Sequence, residues 1–319
     1  MTLTHLLITA IWLSLSYFSA PEKSPILLAD PTIFYHDGNY YLYGTSGHDS
    51  NRGFEVYVSR DLKSWKRSEK NDGYALKKGD SYGDKGFWAP QVFEFEGTFY
   101  MAYTANEHIA IATSESPLGP FTQAEKKDLE APVKQIDPYV FIDSDGKKYL
   151  YHVRLTEGNR LFVAELKDDF SGIKEETLTY CFHAEEAWEN TQNVDWTVSE
   201  GPAIIKHDDL YYFIYSANDF RNPDYAVGYA TSKSPMGPWT KSPGNPIFDK
   251  IDAGINGPGH GDYFVDAKGK LQYVLHTHNS EREVSPRKTG LIELEFVKNG
   301  SEADFLEVKK GSFKFLEVD

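Results

Sequence analysis

The chain is almost without cysteine and methionine, with one Cys and three Met in 319 residues. A single thiol, Cys181, excludes an intramolecular disulfide and any cysteine-based zinc cluster. On its own it reads as a small buried residue rather than a nucleophile. Positive charge is scarce as well: 33 Lys and Arg stand against 48 Asp and Glu, a formal net charge of −15. A surface of that sign repels phosphate backbones, which argues against a nucleic-acid partner. Past the N-terminus no apolar run is long enough to span a bilayer, so no membrane association is expected of the mature chain.

The N-terminus is the exception. Leu6 to Phe18 is nearly continuous apolar sequence and ends in Ser19-Ala20 before the polar Pro21-Glu22-Lys23. That is the pattern of a signal-peptide core with a small-residue end, although its leading segment carries no Lys or Arg. Residues 1–20 are therefore expected to be an export signal, placing the mature protein in the periplasm or outside the cell.

Aromatic residues are abundant, at 15% with 21 Tyr and 20 Phe. Such residues favour strands and also provide the flat faces on which sugar rings stack. They recur in a pattern. Asp30-Pro31-Thr32-Ile33-Phe34 leads through a polar turn into Tyr40-Tyr41-Leu42-Tyr43, and Ala89-Pro90-Gln91-Val92-Phe93 leads likewise into Phe99-Tyr100-Met101. Asp137-Pro138-Tyr139, Gly201-Pro202-Ala203 and, more loosely, Gly261-Asp262-Tyr263 open three further copies. Each copy reads as a β-hairpin by its turn chemistry. A third strand of small and β-branched residues follows, and Trp65, Phe121 and Trp239 are placed to begin a fourth.

Four strands repeated every 48 to 63 residues or so is the spacing of propeller blades. The expected fold is all-β: a five-bladed β-propeller forming a single domain over residues 25–319. In a propeller the first strand of each blade lines the central channel. Its start faces the equivalent points of the other blades. The spacing thus brings Asp30, Ala89, Asp137, Gly201 (preceded by Glu200) and Gly261 (preceded by His260) into one ring. Three carboxylates at one opening repel each other, so at least one must hold a proton near neutral pH. Glycoside hydrolysis needs that pairing of a protonated and an ionised carboxyl group.

The ordered set Ala29-Asp30-Pro31, Trp88-Ala89-Pro90-Gln91-Val92, Ile136-Asp137-Pro138, Ser199-Glu200-Gly201-Pro202 and Gly257-Pro258-Gly259-His260 resembles glycoside hydrolase family 43 over essentially the whole mature chain. The resemblance implies an inverting hydrolase that releases pentose, arabinofuranose or xylose, from plant-type polysaccharide or oligosaccharide side chains. Some family members act instead on galactose polymers. By the same resemblance Asp30 is the general base, Glu200 the general acid, and Asp137 the neighbour that raises and orients Glu200. Trp88, His260 and Arg287 are implied as substrate-binding residues. No cofactor is required for that chemistry. A structural calcium near His260 is left open, because a hard cation prefers oxygen ligands and one histidine does not establish it. The partner is a saccharide, and the protein is expected to act as a monomer. Two other readings are a retaining, fructan-cleaving propeller, whose motifs match less well, and a carbohydrate-binding propeller without catalysis. His276 and His278 could face the channel or pair with acids, and they lack a zinc signature. The acidic run Glu185, Glu186 and Glu189 reads as a solvated loop.

Overall fold

Alternating aromatic and β-branched residues, interrupted by Asp- and Gly-containing turns, set up the five hairpins, and each hairpin becomes the inner half of a blade. The computed structural model describes residues 23–300 and 303–319; the expected export signal lies outside them. Blade I comprises strands Leu28–His36, Asn39–Ser46, Tyr57–Ser59 and Lys66–Arg67. Blade II has Trp88–Phe95, Thr98–Ala105 and His108–Ser114, with a bridge from Thr113 to Thr122 in place of a full outer strand. Blade III is Gln135–Ile142, Lys148–Leu155, Asn159–Glu165 and Thr179–Phe182. Blade IV is Ser199–His207, Leu210–Ala217, Ala226–Ser232 and Thr240–Lys241. Blade V is Gly259–Val265, Leu271–Thr277, Lys288–Val297 and Phe305–Val308, with Lys314–Phe315 also paired to its third strand. All strand pairs within the blades are antiparallel. The protein is a five-bladed β-propeller.

The outer strands begin one residue after the aromatics singled out in the sequence. Trp65, Phe121 and Trp239 turn inward instead, and the first two are fully buried. Apolar cores fill the spaces between blades. One groups Tyr43, Phe54, Phe87 and Tyr103 of blades I and II; another groups Tyr151, Phe213, Tyr215 and Tyr273 of blades III to V. Each large side chain so buried contributes about 1.5–3 kcal/mol. A third core, with Leu28, Trp65, Val274 and Leu316, lies where the last blade meets the first. There Ser24–Pro25 pairs with Glu317–Val318, and Ile26 N–H donates to Leu316 O at 2.9 Å, so the two chain ends clasp the ring shut.

One backbone feature repeats in every blade. The first strand carries a bulge at its start, centred on a residue with positive φ: Asp30 (48°), Ala89 (46°), Asp137 (55°), Gly201 (62°) and His260 (39°). The sequence repeat had placed Gly261 at this point in blade V; the structure moves the equivalence to His260, because that bulge is one residue shorter. A bulge leaves a backbone N–H without a ladder partner. In four of five cases the side chain ending the second strand of the preceding blade accepts it. Ala89 N–H donates to Thr45 Oγ1 (3.0 Å), Asp137 N–H to Thr104 Oγ1 (3.0 Å), His260 N–H to Ser216 Oγ (2.8 Å) and Asp30 N–H to His276 Nδ1 (3.1 Å). The matching position in blade III is Val153, which has no acceptor. Gly201 N–H turns to the carboxylate of Asp137, 3.3 Å away.

Replacing Thr104 by Val should therefore strand the buried Asp137 amide and cost about 1–3 kcal/mol of stability, whereas Thr104→Ser should cost little. Denaturant unfolding of the two variants measures the difference.

Candidate active site

The first strands contact one another in cyclic order. Their bulges thus carry Asp30, Asp137 and His260 to one end of the ring, with Glu200 just before the fourth bulge. Local sequence makes this possible. A Cβ on Gly201 would approach the His260 ring to 2.9 Å, and one on Gly259 would approach the Tyr225 ring to 2.3 Å. These two glycines let His260 and Tyr225 close on the carboxylates.

Asp30 is held from several sides. Arg287 Nη1 lies 2.9 Å from Oδ1 and Nη2 lies 3.4 Å from Oδ2, while the Thr45 hydroxyl donates to Oδ2 at 2.7 Å. His276 Nδ1 and His260 Nδ1 lie 3.3 and 3.5 Å from Oδ1. Burial alone would raise the pKa of Asp30, but the Arg287 guanidinium leads the opposing influences, and the group is held well below the usual carboxylate range. His276 itself is depressed to about 3, by burial and by Arg287, and so stays neutral.

Glu200 has the opposite environment. Tyr225 OH donates to Oε1 at 2.9 Å and Asn159 Nδ2 donates to Oε2 at 3.0 Å. Burial raises its pKa, the Tyr225 bond lowers it, and the charges of Asp30 and Asp219 raise it again, to a value of about 7. Asp137 is pushed well above its ordinary value by burial and then by the charges of Glu200 and Asp30. Donor atoms of Asp137, Glu200 and His260 all lie within 4.8 Å of one another. Both groups are raised, Asp137 in part by the charge of Glu200, and Glu200 by burial and the charges of Asp30 and Asp219. The site thus holds Asp30 as a carboxylate while it shifts Asp137 and Glu200 toward their protonated forms.

Calcium, left open by the sequence, finds two carboxylates and one imidazole in this cluster. Both Glu200 oxygens already take protein donors, and Asp137 Oδ2 faces the Gly201 amide. That is a poor match for a cation that takes six to eight free oxygen ligands. A second cluster, His207, Asp208 and Asp304, already has Lys298 Nζ 2.8 Å from Asp304.

The ring brings together Asp30, Asp137, Glu200, His260 and Arg287. Trp88 is half-buried at the second bulge with its indole over Gly86. Of the two further histidines only His276 joins the cluster; His278 Nε2 bonds instead to Phe220 O at 2.8 Å. The acidic run is not a solvated loop throughout. Glu189 is wholly buried, because Lys241 Nζ (2.6 Å), Tyr215 OH (2.6 Å) and two backbone amides satisfy its carboxylate. Asn159, Tyr225 and Thr45 escaped the sequence reading. For Thr45 a signal existed: a hydroxyl follows the aromatic second strand at Thr45, Thr104 and Ser216.

The family model of the glycosyl hydrolases family 43 matches residues 23–301. The chain belongs to this family. It is 41% identical to a Bacteroides thetaiotaomicron protein whose crystal structure is titled an endo-1,4-β-xylanase, covering 93% of this chain and 99% of that one with a TM-score of 0.85. A Humicola insolens xylosidase/arabinosidase is 29% identical over 69% of this chain and 80% of its own length. A Vibrio xylan 1,3-β-xylosidase is 27% identical over 80% of this chain, which spans about half (49%) of that enzyme.

With Glu200 near 7, the alkaline limb of kcat/KM should fall at about pH 7, while activity persists toward acid because Asp30 stays ionised. Arg287→Met removes the main charge holding Asp30 down and should move the acid limb to higher pH. The same shift bears on stability. Between the ordinary Glu value of 4.5 and about 7 the folded state holds a proton that the unfolded chain has lost, so stability falls as pH rises through that window. Glu200→Gln should flatten that part of the curve in pH-dependent unfolding.

Proposed function

We propose that this protein is an inverting glycoside hydrolase that releases pentose, arabinofuranose or xylose, from plant-type polysaccharide or oligosaccharide side chains. The observation that carries the reading is the split in ionisation across one small opening. Asp30 is clamped as a carboxylate by Arg287, and Glu200 is kept protonated by burial and neighbouring charge. An ionised carboxylate can take the proton of an attacking water. A protonated one can deliver a proton to the glycosidic oxygen. Asp137 is the third party: with an oxygen within 4.8 Å of a Glu200 oxygen, it disfavours a state in which both groups are ionised.

Inversion requires room for water between base and sugar, about 6.5–9.5 Å between the two carboxyls. His260 stands among the three acids, with its Nδ1 3.5 Å from Asp30 and 3.8 Å from Asp137. Pentose specificity is supported by the xylose- and arabinose-directed names of the relatives. In this reading protein groups alone carry the hydrolysis, the chain acts as a monomer, and the N-terminal segment exports it to where polysaccharide is found. Trp88 and His260 are then sugar contacts.

Glu200→Gln should lower kcat on sugar leaving groups by about 10²–10⁴-fold, and far less on an activated aryl pentoside that departs without a proton. Asp30→Asn should abolish both. NMR of the first product settles the stereochemistry: an anomer of retained configuration would overturn the inverting mechanism, and sugar binding without hydrolysis would overturn the enzyme.

A further inference from the structure

Beside the acid, the loop between blades III and IV leaves a large ring at the surface. Trp196 is 50% exposed and Val194, two residues before it, is 46% exposed. The Trp196 ring is not loose. Its Nε1–H donates to Asn159 Oδ1 at 3.0 Å, and Asn159 Nδ2 donates to Glu200 Oε2 at 3.0 Å. The backbone supports this join, since Asn159 N–H donates to Thr197 O at 2.8 Å. A hollow of about 460 Å3 lies against the ring, lined also by Gln192, Val194, Asp219 and Arg221. Arg221 grips Asp219 through two bonds of 2.6 Å, and the Asp219 charge is among those that raise Glu200. The hollow therefore opens next to the acid.

We propose that Trp196 is the platform for the sugar on the leaving-group side of the scissile bond, and that through Asn159 it fixes which oxygen of Glu200 carries the proton. The inference rests on Glu200 being the general acid. An indole N–H can only donate, so Asn159 must turn its oxygen toward Trp196 and its NH2 toward Glu200. An NH2 group accepts no hydrogen bond. The proton of Glu200 is thereby excluded from Oε2 and held on Oε1, where the Tyr225 hydroxyl can rotate to donate or accept. One residue thus joins recognition of the departing sugar to the aim of the proton it receives. Trp196 offers the sugar an apolar face, and Gln192, Asp219 and Arg221 offer its hydroxyls polar partners, the usual make-up of a saccharide site. In this scheme Asn159 is a positioning residue, and Trp196 both binds and positions.

The test compares Trp196→Ala and Trp196→Phe with wild type on an aryl pentoside carrying an activated leaving group and on a pentose oligosaccharide. Measurable wild-type turnover of either substrate keeps the hydrolase reading; its absence sinks that reading before the variants are compared. Trp196→Ala should shift the ratio of kcat/KM between the two substrates by about tenfold against the oligosaccharide. Trp196→Phe keeps a ring but loses the N–H, so KM for the oligosaccharide should change less than in Trp196→Ala. Freed of its partner, Asn159 can flip its oxygen onto Glu200 and accept a proton from Oε2. The alkaline limb should then move to higher pH while kcat on the oligosaccharide falls. Equal losses on both substrates for Trp196→Ala would remove the platform. A Trp196→Phe pH profile that superposes on wild type would remove the proton-aiming role. The half-exposed position makes both variants foldable, which thermal unfolding checks.

Discussion

Five backbone amides turn out of their own sheets at the start of the five blades, and each is accepted by a side chain of the blade before, in four cases one near the end of its second strand. This cyclic exchange is the constraint on which the rest of the structure depends. A non-glycine residue at positive φ costs about 1–3 kcal/mol, and it persists only where its surroundings over-determine it. Here the surroundings are another blade, so no bulge is satisfied until its predecessor is in place. The last blade must meet the first before Asp30 has its His276 partner. The side chains proposed to act sit on these same points: Asp30, Asp137 and His260 are themselves among the strained residues, and Glu200 immediately precedes another such point. Chemistry is thus placed where the backbone has least freedom.

The cyclic exchange is not perfectly periodic, and the acceptor that departs from it lies beside Glu200. Val153 cannot accept a hydrogen bond, and the Asp137 carboxylate takes over for the Gly201 amide. Asp137 therefore has two tasks. It completes the cross-blade exchange between blades III and IV, and it lies close enough to Glu200 that the Glu200 charge helps to raise its own pKa. Arg287 doubles its function similarly. It belongs to blade V, yet its guanidinium binds Asp30 of blade I. Closure of the ring and ionisation of Asp30 are in this sense the same contact.

Much of this was legible in the sequence because it repeats. Hairpins with polar turns, recurring at blade spacing, announced the fold. The three acids stood out because they occupied corresponding positions in copies far apart along the chain. What failed to repeat was hidden. His260 was set one residue off the ring, since a bulge shortened by one residue leaves no trace in the spacing. Glu189 read as solvated because its neutralising partner, Lys241, comes from the outer strand of blade IV, 52 residues on. Asn159, Tyr225 and Trp196 come from strand ends and loops that differ between blades, and nothing near them in sequence marks them as facing Glu200.

The glycines around the fourth and fifth bulges show why the acid's surroundings read as short motifs at all. In Ser199-Glu200-Gly201-Pro202, Gly201 takes the positive φ of the bulge and leaves room for the His260 ring, which a Cβ would meet at 2.9 Å. In Gly257-Pro258-Gly259-His260, the second glycine lets the Tyr225 ring pass close enough for its hydroxyl to reach Glu200. Alanine at Gly259 would displace Tyr225 and strip Glu200 Oε1 of the donor that moderates its pKa. The motif residues that bear no charge are therefore as specific as the acids between them. They set the distance at which an imidazole and a phenol approach two buried carboxyl groups, and that distance fixes which of the groups keeps its proton.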